Sequence, residues 1–414
     1  MIKRNFSYRK NEKQELVVPA SPGTNIRQVR KEFLVFGSPR IEDEEIAEVV
    51  QTLKSGWLST GPKVEAFEHQ FSEFVKTRFA VGLNSCTAGL HLAFLGIGIK
   101  PGDEIITSPM TFAATANTII HACAKPVFVD IEKESRNIDP GKIEANITSR
   151  TRAIVPVHFA GYPCKMDQIM ELARNYNLFV INDSAHALET TYSGKTIARY
   201  GDISAYSFYA TKNITTGEGG MVATDNEELA EKIQILRLHG LSKDAWNRYS
   251  NRGFKHYEVM VPGYKYNMMD IQAAMGIHQL RRVQEYHLIR CRLWDFYMNR
   301  LQNLPIELPE LPDAGSIHAR HLFTILLSIE KLTIDRDHVV EELKRENIGS
   351  GIHFTALHLH PYYAKTFGFK IGDFPEAEYV SKRTLSLPLS PKLTESDCLD
   401  VCTALERVLL RHTR

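Results

Sequence analysis

The pattern that most restricts the fold of this chain is an alternation of strand-like and helix-like segments between residues 79 and 183. Apolar runs that predict strands lie at 79–83, 104–107, 126–130, 153–157 and 178–181. Segments with helical character separate these runs, at 88–95, 111–123, 138–147 and 166–176. Alternation over about 100 residues predicts an α/β fold, with a mostly parallel sheet covered by helices on both faces.

The predicted sheet also indicates where a ligand binds. In open α/β sheets, ligands bind beyond the carboxyl ends of the strands. Thr87, His158, Asp183 and Lys212 all lie at or just after predicted strand ends. We therefore expect these four side chains to converge on one crevice.

The remaining segments suggest how the chain divides into domains. With 414 residues, the chain is long enough for a large domain and a smaller one. Residues 1–31 carry eight Lys or Arg against two Glu and predict an N-terminal extension. Residues 240–262 show little periodicity and favour a boundary there. We therefore predict a large domain at 32–255 and a smaller α+β domain at 256–414.

Composition excludes several classes of protein. The net charge is +1, so no broad basic field favours nucleic-acid binding. No apolar run is long enough to span a bilayer, and the N-terminus lacks the apolar core of a secretory signal peptide. Six scattered cysteines without a CxxC pair are typical of free thiols in a reducing compartment. These observations predict a cytoplasmic protein without membrane insertion.

One lysine lies between two apolar runs, in the segment Ser207–Gly220. A lysine removed from water loses its proton readily and can attack a carbonyl carbon, as a covalent bond to an aldehyde cofactor requires. Gly217, Gly219 and Gly220 follow Lys212 closely and permit a tight turn. A solvated turn lysine is the simpler interpretation, because lysines are rarely buried.

Three other positions after strand ends could serve such a cofactor. The turn Asn84–Gly89 opens a helix, and free backbone N–H groups there favour a phosphate, although plain N-capping explains the same residues. Asp183 ends a buried strand, so its carboxylate needs a partner, such as a protonated ring nitrogen or a basic side chain. Phe112 could stack on a flat ring or be an ordinary core residue.

Histidines form a second group of candidates. His353, His358 and His360 lie in one extended segment, but no nearby cysteine or paired carboxylate completes a metal site. We expect no metal and favour polar substrate contacts or core packing. His186, three residues after Asp183, is by itself most simply a core histidine.

Several segments together resemble the DegT/StrS family of sugar aminotransferases, from about Phe36 to the C-terminus. The most specific match is Ser207-Phe208-x-x-x-Lys212 followed by Gly217-Glu218-Gly219-Gly220. The other matching segments are Trp57-Leu58-Ser59-Thr60-Gly61-Pro62, Ser85-Cys86-Thr87-Ala88, Asp183-Ser184-Ala185-His186-Ala187 and Asp270-Ile271-Gln272-Ala273-Ala274. The resemblance implies the fold type I of enzymes that use pyridoxal 5′-phosphate (PLP), with a seven-stranded, mostly parallel sheet.

The resemblance also implies roles for individual residues. Lys212 binds the cofactor's aldehyde carbon covalently, and Asp183 pairs with the pyridinium nitrogen. Phe112 stacks on the ring, and His186 lies near the 3-hydroxyl group. The phosphate is held by Ser207 and by the turn Cys86-Thr87-Ala88.

One segment departs from the common family pattern and bears on the substrate. Where many members read Gly-[Phe/Tyr]-Asn-Tyr-Arg, this chain reads Gly263-Tyr264-Lys265-Tyr266-Asn267. This variant, together with the segments Lys212-Asn213-Ile214-Thr215 and Leu357-His358-Leu359-His360-Pro361-Tyr362-Tyr363, resembles the branch that makes UDP-4-amino-4-deoxy-L-arabinose. It implies that Lys265 and Asn267 reach the neighbouring subunit's site, with Asn267 at the cofactor. Further substrate-binding candidates are Thr60, His353 and His358.

The resemblance implies a PLP-dependent aminotransferase that acts on a nucleotide-linked keto-sugar. A UDP-4-keto-sugar as substrate and L-glutamate as donor are expected, for cell-surface polysaccharide or lipid A modification, in a homodimer with shared active sites. Other nucleotide sugars stay open: a dTDP- or GDP-linked 4-keto-6-deoxyhexose, or a 3-keto-sugar. A sugar dehydratase of the same fold is disfavoured because Lys212 is present. A non-catalytic regulator that binds PLP or sugar is the alternative of another class.

Overall fold

A seven-stranded sheet forms the centre of the N-terminal part. The protein is described by a computed structural model that covers residues 29–242 and 258–414. The strands of this part are β1 (Phe79–Leu83), β2 (Glu104–Thr107), β3 (Lys125–Phe128), β4 (Thr151–Val155), β5 (Phe179–Asp183), the short hairpin β6 (Thr191–Tyr192) and β7 (Lys195–Thr196), β8 (Ile203–Ser207) and β9 (Gly220–Thr224). The order in the large sheet is β1-β9-β8-β5-β4-β2-β3. In this sheet β9 alone runs opposite to the other six strands, which confirms the prediction of a mostly parallel sheet.

Helices cover both faces of this sheet. They are α1 (Asp43–Ser55), α2 (Pro62–Val75), α3 (Cys86–Gly96), α4 (Ala113–His121), α5 (Met166–Tyr176), α6 (Glu227–Leu236) and, beyond the undescribed residues, α7 (Asp270–Arg281). Side chains alternate between the two faces of a strand, so neighbours enter different cores. Ile181 packs in the core of α3 and α6, whereas Val180 packs against α5.

A second core lies in the C-terminal part. Its elements are α8 (Val283–Leu301), β10 (Ile306–Glu307), β11 (Phe323–Leu327), α9 (Arg336–Arg345), α10 (Pro361–Phe367), α11 (Pro375–Arg383), β12 (Thr384–Leu387) and α12 (Glu395–Arg411). The three strands form an antiparallel sheet in the order β10-β11-β12. Trp294 and Phe323 are fully buried in this core, with ring centroids 4.8 Å apart. The mixture of helices and antiparallel strands agrees with the predicted α+β character.

The predicted boundary between residues 255 and 256 lies outside the described residues, as does nearly all of the predicted extension 1–31. Directly beyond this gap, α7 packs on α1 and α2, and Ala273 shares a core with Phe67. The C-terminal core therefore begins at α8, which follows a break at Arg282. The division into domains stays a prediction.

One predicted helix is wrong. Instead of a helix over 138–147, the structure has two short 3₁₀ turns, Pro140–Lys142 and Glu144–Asn146. The Asp139 side chain accepts a hydrogen bond from Gly141 N at 2.9 Å. Proline and glycine after a capping aspartate favour a tight turn over a continuous helix.

The helical spacing of Ile46, Val49, Val50 and Leu53 predicts a helix that stops at Gly56. The structure confirms it as α1, which ends at Gly56 with a φ of 75° that suits glycine. Its apolar residues nevertheless face outward: Ile46, Val50 and Leu53 are 55%, 40% and 51% exposed. We call these three residues the α1 apolar stripe. No helix in the described part of the chain is long and apolar enough to cross a membrane.

Candidate active site

The ends of several strands open into one cavity of about 440 Å³. Asp183 ends β5, Ser207 ends β8, and Phe112 lies between β2 and α4. Cys86 and Thr87 open α3 directly after β1. The lining residues are Ser85, Cys86, Thr87, Leu90, Phe112, Ala114, Asp183, Ala185, His186, Ser207, Tyr209, Thr211, Lys212, Glu218, Gly219, His321, Ile352, His353 and Phe354. The cavity therefore lies at the sheet edge that the sequence indicated.

Lys212 reaches this cavity from the loop between β8 and β9. Its backbone N–H donates to the Tyr209 carbonyl at 2.9 Å, which forms a turn. Burial lowers the pKa of Lys212 to about 8, although the nearby Cys86 and Asp183 oppose this effect. More of this amine than of an exposed lysine is therefore unprotonated near neutral pH, as a nucleophile or general base requires.

The loop is closed by a contact that only glycine permits. At Gly220, an added Cβ would overlap the Ser85 carbonyl and the Cys86 nitrogen. The start of β9 therefore lies directly against the first turn of α3. The glycines after the lysine thus bring the lysine loop and the helix terminus together.

Asp183 is held by two donors at the floor of the cavity. Its Oδ2 accepts from Thr115 Oγ1 at 2.7 Å, and its Oδ1 accepts from Ala185 N at 3.1 Å. Burial raises the pKa of Asp183, while both hydrogen bonds and the charge of Lys212 oppose the rise. A cationic N–H donor beside this carboxylate would favour its ionised form.

The first turn of α3 provides an anion site. Ser85 caps the helix by accepting from Ala88 N at 3.1 Å, so the Ala88 amide is already bonded. The amides of Cys86 and Thr87 belong to the first turn and have no intrahelical acceptor. Burial and then Asp183 raise the pKa of the Cys86 thiol well above its usual value, so the thiol stays neutral. This turn and Ser207 thus offer donors without a competing negative charge.

Aromatic rings form the walls of the cavity. The Phe112 side chain is 63% exposed, and its ring centroid lies 6.1 Å from that of Phe354. The His186 ring lies between Phe354 at 6.1 Å and His321 at 4.4 Å. His353 also lines the cavity, and burial lowers its pKa to about 4. An apolar ring exposed inside a cavity suits a flat ligand.

The hydrogen bonds of His186 define which nitrogen carries its proton. His186 Nδ1 accepts from Ala160 N at 3.3 Å. Burial, together with the charges of Lys212 and His353, lowers the pKa of His186 well below its usual value. The ring is therefore neutral, and its Nε2–H is left as a donor.

Three predicted residues lie beside the cavity but do not line it. Asn267 Nδ2 donates to Thr60 Oγ1 at 2.7 Å, and Lys265 Nζ donates to Asn267 Oδ1 at 2.6 Å. Asn84, next to the capping Ser85, donates its N–H to the Tyr266 carbonyl at 2.8 Å. This cluster does not contact the cavity of its own chain.

Two other histidines do not reach the cavity, contrary to expectation. His358 is 1% exposed and lies 3.1 Å from Glu378 Oε1, so the structure does not support a substrate contact in this chain. His158 is fully buried behind the sheet edge, where its Nδ1 accepts from Cys164 N. Within residues 29–242 and 258–414, no group of three His, Cys, Asp or Glu side chains could hold a metal ion.

Comparison with known proteins identifies the family to which a chain with this cavity belongs. Residues 39–406 match the DegT/DnrJ/EryC1/StrS aminotransferase family. The chain belongs to this family. It is 52% identical over 384 residues to the spore coat polysaccharide biosynthesis protein SpsC of Bacillus subtilis, covering 92% of this chain and 98% of SpsC.

Solved structures of sugar aminotransferases share the fold. The putative sugar aminotransferase Spr1654 from Streptococcus pneumoniae, in its PLP form, is 32% identical with a TM-score of 0.84, covering 92% of this chain and 99% of Spr1654. PseC of Helicobacter pylori, an aminotransferase of pseudoaminic acid biosynthesis, is 28% identical with a TM-score of 0.85, covering 92% of this chain and all of PseC, 100%. These findings confirm fold type I, and the protein is a PLP-dependent sugar aminotransferase.

The cavity of this aminotransferase fits PLP in its chemistry. A phosphate requires donors, which the α3 terminus and Ser207 provide. A pyridinium nitrogen requires a buried carboxylate, which Asp183 provides, and a flat ring suits the exposed Phe112. The cofactor's aldehyde requires a largely desolvated amine, which Lys212 provides.

The sequence did not indicate several residues of the aminotransferase cavity. His321 and Phe354 lie more than 100 positions after Lys212 in the chain and follow no strand of the large sheet. No periodicity or motif links them to the lysine loop. Tyr209, by contrast, lies between Ser207 and Lys212 and could have been predicted from its place in that segment.

Proposed function

We propose that this protein transfers an amino group from L-glutamate to a nucleotide-linked keto-sugar, and that the substrate is a UDP-4-keto-sugar. Membership of the sugar aminotransferase family supports the reaction class. The segment Gly263–Asn267, which resembles the UDP-4-amino-4-deoxy-L-arabinose branch, supports the nucleotide and the position of the keto group. SpsC functions in spore coat polysaccharide biosynthesis and PseC in pseudoaminic acid biosynthesis, so a product for cell-surface polysaccharide or lipid A fits these relatives.

The observation that carries the reaction type is the desolvated Lys212 amine in the same cavity as Asp183. When bound, PLP supplies an electron sink that stabilises negative charge at the carbon that loses a proton. Lys212 Nζ would take a proton from the donor's α-carbon and pass it to the bound cofactor, and in the second half it would carry a proton from the cofactor to the sugar carbon that gains nitrogen. Asp183 would keep the ring nitrogen protonated, and the neutral His186 would offer its Nε2–H to the 3-hydroxyl group.

We further propose that the protein acts as a homodimer with shared active sites. The α1 apolar stripe is exposed, and Trp57 and Leu58, which follow α1, are each 43% exposed. Scattered apolar residues on a surface are normal, but a contiguous apolar face favours a partner. The cluster of Thr60, Lys265 and Asn267 does not line the cavity of its own chain, and a second copy would allow it to reach a neighbouring cavity.

The dimer can be tested by sedimentation velocity. Leu53→Asp places a charge in the α1 apolar stripe and should convert the dimer to a monomer. Leu410→Asp is a matched control, because Leu410 is 63% exposed near the end of α12. A wild-type protein that sediments as a monomer at micromolar concentration would contradict the proposal.

The substrate is tested with a panel of 4-keto-sugars linked to UDP, dTDP or GDP. We expect glutamate-dependent formation of 2-oxoglutarate to be fastest with the UDP-linked sugar, and Lys212→Ala to abolish it. A higher kcat/KM for a dTDP- or GDP-linked 4-keto-6-deoxyhexose, or for a 3-keto-sugar, would identify that sugar as the substrate in place of the UDP-linked one. Absence of turnover with every sugar, in a protein loaded with PLP, would refute the proposed sugar class. The cytosolic location stays a prediction.

A further inference from the structure

Asn213, the residue after the catalytic lysine, is held by buried groups on all sides. Its Nδ2 donates to Glu189 Oε2 at 2.6 Å and to the Ala319 carbonyl at 3.0 Å. Its Oδ1 accepts from His321 Nδ1 at 2.8 Å. Its backbone carbonyl accepts from Arg290 Nη2 at 3.2 Å. We call Glu189, Asn213, Arg290 and His321 the lysine anchor.

The lysine anchor joins distant parts of the chain. Glu189 lies on the turn after β5. Asp183 is the last residue of this strand, and His186 lies on the same turn as Glu189. Arg290 lies on α8 of the C-terminal core. His321 precedes β11 and donates its backbone N–H to the Ala160 carbonyl at 3.1 Å. The anchor therefore connects the lysine loop with the Asp183 turn and with the second core.

Packing alone does not account for the polar groups of the lysine anchor. Glu189 is 6% exposed, and within residues 29–242 and 258–414 its Oε1 has no hydrogen-bond partner. Arg290 is 2% exposed, and its Nε and Nη1 lack hydrogen-bond partners in the same described part of the chain. Each unsatisfied buried polar group lowers the stability of the fold, so apolar residues of similar shape would stabilise it better. The retained polar groups point to a task in the reaction.

We propose that Glu189 and His321 are positioning residues for transamination. Acting through the Asn213 side chain, they fix the main chain at Lys212 while the lysine side chain moves. A long flexible side chain returns its amine to the same atom only if its Cα does not shift, and small misplacements cost much of the rate. The proposal holds whichever sugar is aminated.

Kinetics of paired variants test the contact between Glu189 and Asn213. Asn213→Asp sets two carboxylates against each other, and we expect kcat to fall about 10- to 100-fold, with KM for glutamate little changed. Adding Glu189→Gln should restore part of kcat, because the introduced amide donates to the new carboxylate. Glu346→Gln is the matched control, since Glu346 is also 6% exposed but lies in the C-terminal part, paired with Arg407. This control should keep the wild-type kcat.

A second readout needs neither cofactor nor substrate. In the apoprotein, the pH midpoint for acetylation of Lys212 by acetic anhydride, measured by mass spectrometry, reports the environment of the amine. Asn213→Ala removes the side-chain contacts without adding charge. The loosened lysine should gain water, and its midpoint should rise by about half a pH unit or more.

The two readouts separate failure of this proposal from failure of the proposed substrate. An unchanged midpoint in folded Asn213→Ala would overturn the anchor even in a protein that aminates no sugar tested. If Asn213→Ala does not fold, the paired variants decide. Loss of kcat in Asn213→Asp without any recovery on adding Glu189→Gln, or a change confined to KM, would also overturn the proposal.

Discussion

Replacement of the catalytic lysine by methionine should make the apoprotein more stable. Lys212 is buried in the cavity, and burial lowers its pKa from the ordinary 10.5 to about 8. The folded protein therefore disfavours the charged amine, which the unfolded chain solvates freely. Methionine fills a similar volume without a charge.

The size and the pH dependence of the effect follow from this pKa. A pKa lowered from 10.5 to about 8 corresponds to a cost of about 3 kcal/mol for the charged amine. Below pH 8 the amine is charged in both states, so the full cost applies. Between pH 8 and 10.5 the folded protein has lost the proton while the unfolded chain keeps it, so the cost shrinks with rising pH. Above pH 10.5 no cost is left.

Thermal unfolding of the apoprotein at several pH values measures this difference. For 414 residues, 1 kcal/mol corresponds to about 1 °C in Tm, so Lys212→Met should raise Tm by about 3 °C at pH 7. The gain should decline between pH 8 and 10. Lys382→Met on the exposed side of α11 is the control and should show no gain. The reasoning is refuted if Lys212→Met gives no gain at pH 7, or a gain that is independent of pH.

Three further substitutions test the cavity. Asp183→Asn should lower the rate of the glutamate half-reaction by about 10²- to 10⁴-fold, because the ring nitrogen loses its anionic partner. Stopped-flow absorbance measures this rate, and a near-normal rate would exclude the proposed role of Asp183. Gly220→Ala should weaken PLP binding, because its Cβ would overlap the Ser85 carbonyl and displace the first turn of α3; equilibrium dialysis measures the affinity, and unchanged affinity would contradict this contact. Cys86→Ser should leave kcat within a few-fold, because burial keeps the thiol neutral and unable to act as a base; a large loss in steady-state assays would assign the thiol a chemical role.

The sheet and the cavity residues after its strands could be predicted from sequence for a physical reason. Parallel strands bring their carboxyl ends to one edge, so strand order need not be known to predict that Asp183 and Lys212 meet. Phe112 and the α3 turn are found in the same way. The approach fails where a residue after a strand end turns inward, as His158 does, where it is fully buried.

The position of the other cavity residues depends on contacts between segments that are distant in the sequence. His321 and Phe354 enter the cavity from the C-terminal half, which the sheet topology does not position. His358 shows the converse error, because its place in a histidine-rich segment made it a candidate for substrate binding. The chain instead forms a 3₁₀ turn at Leu357–Leu359, which buries this histidine against Glu378.

The burial of α1 is the reverse of what its apolar periodicity predicts for a helix on an isolated chain. Glu45 is fully buried, accepts from Gln279 Nε2 at 2.9 Å and pairs with Arg282, whereas Val50 and Leu53 are exposed. Periodicity identifies an apolar face but not the surface that covers it. When the charged side chains of a helix find partners in their own chain, the apolar side of that helix can be left exposed to a second chain. The proposed homodimer accounts for this reversal, because a second copy would cover the apolar side, and the sequence of one chain does not indicate that surface.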